Sequence, residues 1–110
     1  MRIGELAKKY GYDARSIDYF TTLGLLKEAG RSSGNYRDYG KDAEEAMLFI
    51  AIGQALELKG ISFEDSTAFV KALPKPLWET MIIEKLEERK RDAMKRYDML
   101  ISLAKDYSKG

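Results

Sequence analysis

Arg15, Ser16, Asp18 and Tyr19 fall within five consecutive residues, and Tyr36 and Arg37 follow as an adjacent pair. Their chemistry is that of recognition rather than bond making. A guanidinium forks onto guanine or a phosphate, a hydroxyl or phenol donates to phosphate oxygens, and a carboxylate accepts from the amino group of cytosine. At about 100° per residue, Arg15, Asp18, Tyr19 and Thr22 share one helix face, while Ile17 and Phe20 lie on the opposite, core side. Asp18 is the residue of unexpected sign on a face suited to a polyanion. It has three readings: it pairs with Arg15 at i, i+3, it accepts from a cytosine, or it repels phosphate. Arg15 and Arg37 read either as contacts or as merely solvated charges, and Tyr39 reads as packing that anchors its segment.

Other chemistries are poorly supplied. The 110 residues contain no cysteine and no histidine. That excludes thiolate or imidazole metal ligation, disulfides, and nucleophile chemistry on Cys or His within this stretch. No acid, base and nucleophile converge in the pattern, so no catalytic residues, no enzyme activity, no metal and no cofactor are expected. Trp78 lies near a helix junction, where an aromatic is usually core, and it is not assigned to a ligand pocket. No apolar run approaches a membrane span and no signal-peptide core is present, so a cytoplasmic protein without membrane contact is expected.

Elements must hold those side chains in place. Ile3, Leu6, Ala7 and Tyr10 form the stripe of a first helix, stopped by Gly11 in a left-handed conformation. Asp13 is placed to cap a second helix over 14–21, with Tyr12 packing on Ile17 as a staple. Two short helices on a tight turn make a helix-turn-helix. GRSSGNYRDYG reads as a small hairpin with Ser, Gly and Asn at its middle. Asp42 and Glu45 suggest the cap of a largely apolar third helix over 43–59, ended by Gly60, and Ser62 with Asp65 starts a fourth that Leu-Pro-Lys-Pro at 73–76 closes. From Leu77 a single long helix follows. Its positions Ile83, Leu86, Lys90, Ala93, Tyr97, Leu100, Ala104 and Tyr107 advance by threes and fours, a heptad seam with Lys90 as the polar breach. A helix of this kind wants a partner, and a coiled-coil homodimer supplies one through Ile83, Leu86, Ala93, Tyr97, Leu100, Ala104 and Tyr107.

Charge distribution agrees with this division. The net charge of +1 gives no global argument for nucleic acid, but residues 1–40 hold seven Lys or Arg against five Asp or Glu. An acidic block follows over 41–74, with three basic residues against six acidic ones. The positive excess therefore lies in the helix-turn-helix and hairpin.

The residues themselves resemble the MerR family of bacterial transcription regulators. IGELAKKYG at 3–11 is similar to the family's first helix. Arg15-Ser16-Ile17, Tyr19-Phe20 and Leu23-Gly24-Leu25-Leu26 resemble its recognition helix and exit, and GNYRDY at 34–39 resembles the wing motif Gly-Tyr-Arg-x-Tyr. Phe49-Ile50 and the run from Leu58 to Asp65 are similar to later family stretches. The likeness covers about residues 2–73. Where family members usually have Arg-Tyr-Tyr-Glu, this chain has Asp18-Tyr19-Phe20-Thr21, so one charge is reversed and a carboxylate is lost three residues later.

The resemblance implies a mainly α fold. A winged helix-turn-helix DNA-binding domain with a small β-hairpin wing would occupy 1–74, and a long C-terminal helix over 75–110 would form an antiparallel coiled-coil dimer. It implies a sequence-specific regulator of transcription binding double-stranded DNA as a homodimer at a near-palindromic promoter site, with RNA polymerase as a further partner there. By motif, Arg15, Ser16, Tyr19, Tyr36 and Arg37 are the DNA-contacting residues, and Asp18 shares their face. Two alternatives remain: a protein-interaction module, or an excisionase-like architectural factor, with DNA binding altered or lost.

Overall fold

A computed structural model describes residues 1–31 and 34–110. Ser32 and Ser33, expected at the middle of the hairpin, lie outside the described residues. The chain divides into two compact units, Met1–Ala72 and Leu73–Gly110.

The first unit begins with α1 (Ile3–Tyr10), whose Leu6 and Ala7 are buried, and which ends at Gly11 with φ 78°. That positive φ is the conformation glycine adopts without steric cost. Next comes α2 (Ala14–Thr22), capped by Asp13, whose Oδ1 accepts from the Ser16 amide at 2.8 Å. Tyr12 packs against the core cluster that contains Ile17. Its ring meets Phe20 edge-on with centroids 5.5 Å apart, and its hydroxyl donates to Gln54 Oε1 on the third helix. Phe20 in turn stacks on Phe63 at 5.4 Å, so one aromatic joins the turn, α2 and the fourth helix.

The hairpin consists of β1 (Gly30–Arg31) and β2 (Arg37–Asp38), antiparallel, with Gly30 opposite Asp38 and Arg31 opposite Arg37. A ladder this small is not stable alone. It is supported from outside: Arg2 forms a bridge to Asp38, the Tyr39 amide donates to the Met1 carbonyl at 2.7 Å, and the Met1 nitrogen donates to the Tyr39 carbonyl at 2.8 Å.

α3 (Lys41–Leu56) buries Ala43, Met47, Ile50, Gly53 and Leu56, and α4 (Phe63–Ala72) buries Ser66 and Val70. The cap of α3 differs from expectation. Gly40 is its N-cap with no side-chain bond, and Asp42 lies inside the first turn, where its charge still favours the helix dipole. The helix also stops earlier than 59, with Glu57 in the left-handed region at φ 48° and Gly60 at φ 73° in the turn that follows. The cause is the approach of α4. A Cβ on Gly53 would stand 3.2 Å from the Ser66 carbonyl carbon and the Thr67 amide nitrogen, so the two backbones nearly touch and the chain must reverse promptly. As expected, the Ser62 hydroxyl caps α4 by accepting from the Asp65 amide at 3.1 Å. The core shared by these elements is Leu6, Ala7, Ile17, Phe20, Leu26, Tyr39, Ala43, Met47 and Ile50.

The second unit is helical but not uniformly α. Lys75–Leu77 is a 3-10 turn, Glu79–Ile83 a wide π turn, and α5 runs Glu84–Lys109. Pro74 and Pro76 withhold amides at the start, and the Trp78 indole N–H donates to the Leu73 carbonyl at 3.0 Å. A π turn inserts one residue into the helical register. In consequence Ile82 is buried, while Ile83, the first residue of the expected seam, is 38% exposed. Among the described residues no helix is long and apolar enough to cross a membrane.

Candidate nucleic-acid interface

The exposed face of α2 follows from its buried one. Ile17 and Phe20 are locked into the core, at 0% and 4% exposure, so the 100° step turns Arg15, Asp18 and Tyr19 outward. Tyr19 is among the exposed large side chains, and Ser16, whose amide is spent on the Asp13 cap, is half-buried. The Ser16 amide holds the Asp13 carboxyl below its ordinary range. The helix start is thereby fixed by a charge-assisted bond.

Among the described residues the hairpin is docked on α2 at two places. Tyr39, buried as expected, places its hydroxyl 2.9 Å from Thr21 Oγ1, which also donates to the Ile17 carbonyl at 2.8 Å. One turn earlier on α2, the Asp18 carboxylate receives the Arg37 guanidinium, an ion pair between the helix and β2. The partner of Asp18 is thus Arg37, not Arg15.

Arg37 is engaged a second time. Its Nε lies 3.1 Å from Glu28 Oε2, and Glu28 Oε1 is 3.1 Å from Arg31 Nε on β1. Glu28 therefore ties the two strands together beneath the pair. A hydrogen bond with the Tyr39 side chain, followed by the charges of Asp18 and Glu28, raises the Arg37 pKa above its ordinary value, against desolvation. Tyr36, exposed on the hairpin, carries the Arg2 guanidinium 4.9 Å from its ring centroid.

The face therefore brings together Arg15, Asp18 and Tyr19 on α2 with Arg37 on β2, and sets Tyr36 beside Arg2. The sequence reading missed Arg2, Glu28 and Arg31. For Glu28 and Arg31 a signal existed in their i, i+3 spacing; for Arg2 none did, because its partner lies across a long-range bridge. On α5, Leu86 is half-buried, and Ala93, Tyr97, Leu100, Ala104 and Tyr107 are exposed in the single chain. Apolar residues off the expected seam, Met94, Met99, Ile101 and Leu103, are exposed as well. Among the described residues no three carboxylates are grouped so as to hold a metal ion.

Two helices on a tight turn, a hairpin docked on the second helix, and two further helices closing the core define a winged helix-turn-helix unit. Residues 1–73 match the family model described as MerR HTH family regulatory protein, and the chain belongs to this family. It is similar to the HTH-type transcriptional regulator CueR of Bacillus subtilis, 49% identical over 49 residues that cover 44% of this chain and 34% of that protein. It is also similar to a SoxR homologue of Chromobacterium violaceum, an HTH-type transcriptional activator, at 35% identity over 72 residues, 66% of this chain and 46% of that one. The chain thus spans less than half the length of these curated relatives. In fold it resembles a MerR family transcriptional regulator from Bacillus cereus, with TM-score 0.56 and 16% identity over 96% of this chain and 75% of that one. It also resembles HiNmlR, a MerR family regulator lacking the sensor domain and bound to promoter DNA, with TM-score 0.51 and 18% identity over 94% of this chain and 83% of that one. These relatives are regulators of transcription.

Proposed function

We propose that this chain is a sequence-specific DNA-binding regulator of transcription, acting in the bacterial cytoplasm as a homodimer on a near-palindromic promoter site. The observation that carries this reading is the exposed face of α2 that carries Arg15, Asp18 and Tyr19, joined through Asp18 to the wing residue Arg37, with Tyr36 exposed on the same hairpin. In it, α2 enters the major groove, Arg15 and Tyr19 meet base edges and phosphates, and the hairpin lies along the flanking backbone. Family membership and the promoter complex of HiNmlR support the assignment. The first unit is the DNA-binding domain. The second supplies the dimer through an antiparallel pairing of α5, supported by the exposure of Tyr97, Leu100 and Tyr107 on a helix otherwise dense in charge. RNA polymerase at the promoter is the further partner. No catalytic step and no bound metal belong to the proposed activity.

Selection from a random duplex pool, followed by titration of the selected duplex at several salt concentrations, tests the assignment. The expected result is an inverted repeat whose affinity falls steeply with salt. Failure to enrich any duplex, or an affinity indifferent to salt, defeats it in favour of a protein-interaction module.

A further inference from the structure

Asp18 and Arg37 contact each other across the junction of the recognition helix and the wing, and the atoms they use are informative. Arg37 directs its Nη1 at Asp18 Oδ1 and its Nε at Glu28 Oε2. Its guanidinium is thus held between two carboxylates, and its side chain is only 29% exposed. Asp18 is the opposite: its side chain is 57% exposed, and the guanidinium reaches it at Oδ1. One oxygen of the carboxylate takes the guanidinium, while the carboxylate as a whole stays open to solvent on the face shared with Arg15 and Tyr19.

A bare carboxylate so placed would be repelled by phosphates, but the guanidinium beside it cancels most of its charge at the distances that matter. What remains is a fixed hydrogen-bond acceptor. In the major groove the cytosine edge offers an amino donor without an adjacent acceptor. Adenine sets its N7 acceptor beside its amino group, guanine offers two acceptors, and thymine offers an acceptor and a methyl. An oriented acceptor therefore suits cytosine.

We infer that Asp18 and Arg37 form one recognition unit, in which Arg37 is a positioning residue holding Asp18 Oδ1 so that Oδ2 accepts a hydrogen bond from the N4 amino group of a cytosine in each half-site. The inference rests on the proposed DNA-binding function. It changes the part played by the wing arginine, which acts through the helix instead of reaching only for the backbone.

The test is random-pool selection with the unaltered protein, Asp18→Ala, Arg37→Ala and Arg37→Gln, then binding titrations on the selected site and on the same site with that cytosine pair replaced by thymine-adenine. The unaltered protein is expected to require one cytosine per half-site and to bind the replaced site about tenfold or more weakly. Asp18→Ala is expected to bind both sites alike. Both Arg37 variants are expected to lose the same preference while keeping the remaining consensus, a change that a phosphate contact or a purely structural role would not produce. Arg37→Gln serves where Arg37→Ala fails to fold. Retention of the cytosine preference by Asp18→Ala overturns the inference, as does an equal loss of affinity on both sites in the Arg37 variants. A site selected by the unaltered protein whose bases do not depend on Asp18 defeats this inference alone, whereas no selected site at all defeats the DNA-binding assignment with it.

Discussion

Tyr39 and Thr21 are joined by their hydroxyls at 2.9 Å, and this partly buried bond lies one turn along α2 from the exposed Asp18–Arg37 pair. Among the described residues the wing is therefore bonded to α2 twice, once in a partly buried position and once at the surface. Loss of the surface bond leaves the inner one, so substitutions at Asp18 or Arg37 are expected to alter binding without releasing the hairpin.

Asp18→Arg is the most informative of these. It removes a carboxylate from the α2 face, adds a cation, and sets that cation against Arg37. Non-specific duplex affinity is expected to rise, and the slope of log affinity against log salt to steepen by about one to two phosphate equivalents. Fluorescence anisotropy titrations over a range of salt measure both. An unchanged slope would mean that this face of α2 does not approach the phosphates.

Phe20 is 4% exposed and stands between Tyr12 and Phe63. Phe20→Ala removes the ring through which the turn, α2 and α4 meet, and is expected to cost about 3–5 kcal/mol. Urea titration followed by far-ultraviolet circular dichroism measures it. A loss well under about 1 kcal/mol would show that the cavity collapses and that the aromatic group contributes little.

Acid and base should each weaken the first unit. The Ser16 amide lowers the Asp13 pKa from 3.8, and the bond from Lys9 lowers that of Glu44 from 4.5, with the Lys9–Glu44 pair at 2.7 Å joining α1 to α3. A depressed carboxylate contributes stability that is complete above its unfolded value and is lost as pH falls through the folded one. Lys9 is raised above 10.5 by its bond to Glu44, so its contribution is complete below that value and is lost as pH rises through the folded one. Thermal melts are thus expected to show a plateau between the carboxylate and lysine ranges, with Tm falling on both flanks. In Lys9→Met the alkaline decline attributable to this pair should vanish and the acid decline should shrink. Melts of Lys9→Met identical to those of the unaltered chain at every pH would exclude a contribution from the pair.

The α5 seam is tested by charge. Tyr97→Glu and Leu100→Glu place carboxylates at its middle, and each is expected to weaken self-association at least tenfold by about the cost of leaving a charge in an apolar interface. Sedimentation velocity over a concentration series reads this directly. A monomer in the unaltered chain at micromolar concentration would remove the coiled coil from the proposed function.

Much of this was legible in the residues because local chemistry dictated it. Asp13 and Ser62 cap the helices they precede, Gly11 stops α1, and the alternation of Ile17 and Phe20 with Arg15, Asp18 and Tyr19 sorts α2 into core and surface. The partners of Asp18 and Tyr12 were not legible. Asp18 had a candidate close in sequence, Arg15, and paired with the distant Arg37, while the hydroxyl of Tyr12 found the distant Gln54. A long-range partner wins when the backbone of another element passes closer than one helical turn, and spacing along the chain does not encode that. The early end of α3 escaped for the same reason. Gly53 marks a site where α4 comes within contact of its backbone, but the sequence identifies only the glycine and not its neighbour.

Met1 and Arg2 lie along the side of β2 that β1 leaves uncovered, since Asp38 is bridged to Gly30 on one edge and to Arg2 on the other. An open edge of this kind is where sheets of separate molecules join and aggregate. Two residues ahead of the first helix thus act as a selvedge, closing β2 at Asp38 so that the hairpin meets its surroundings through side chains instead of offering its backbone to another chain.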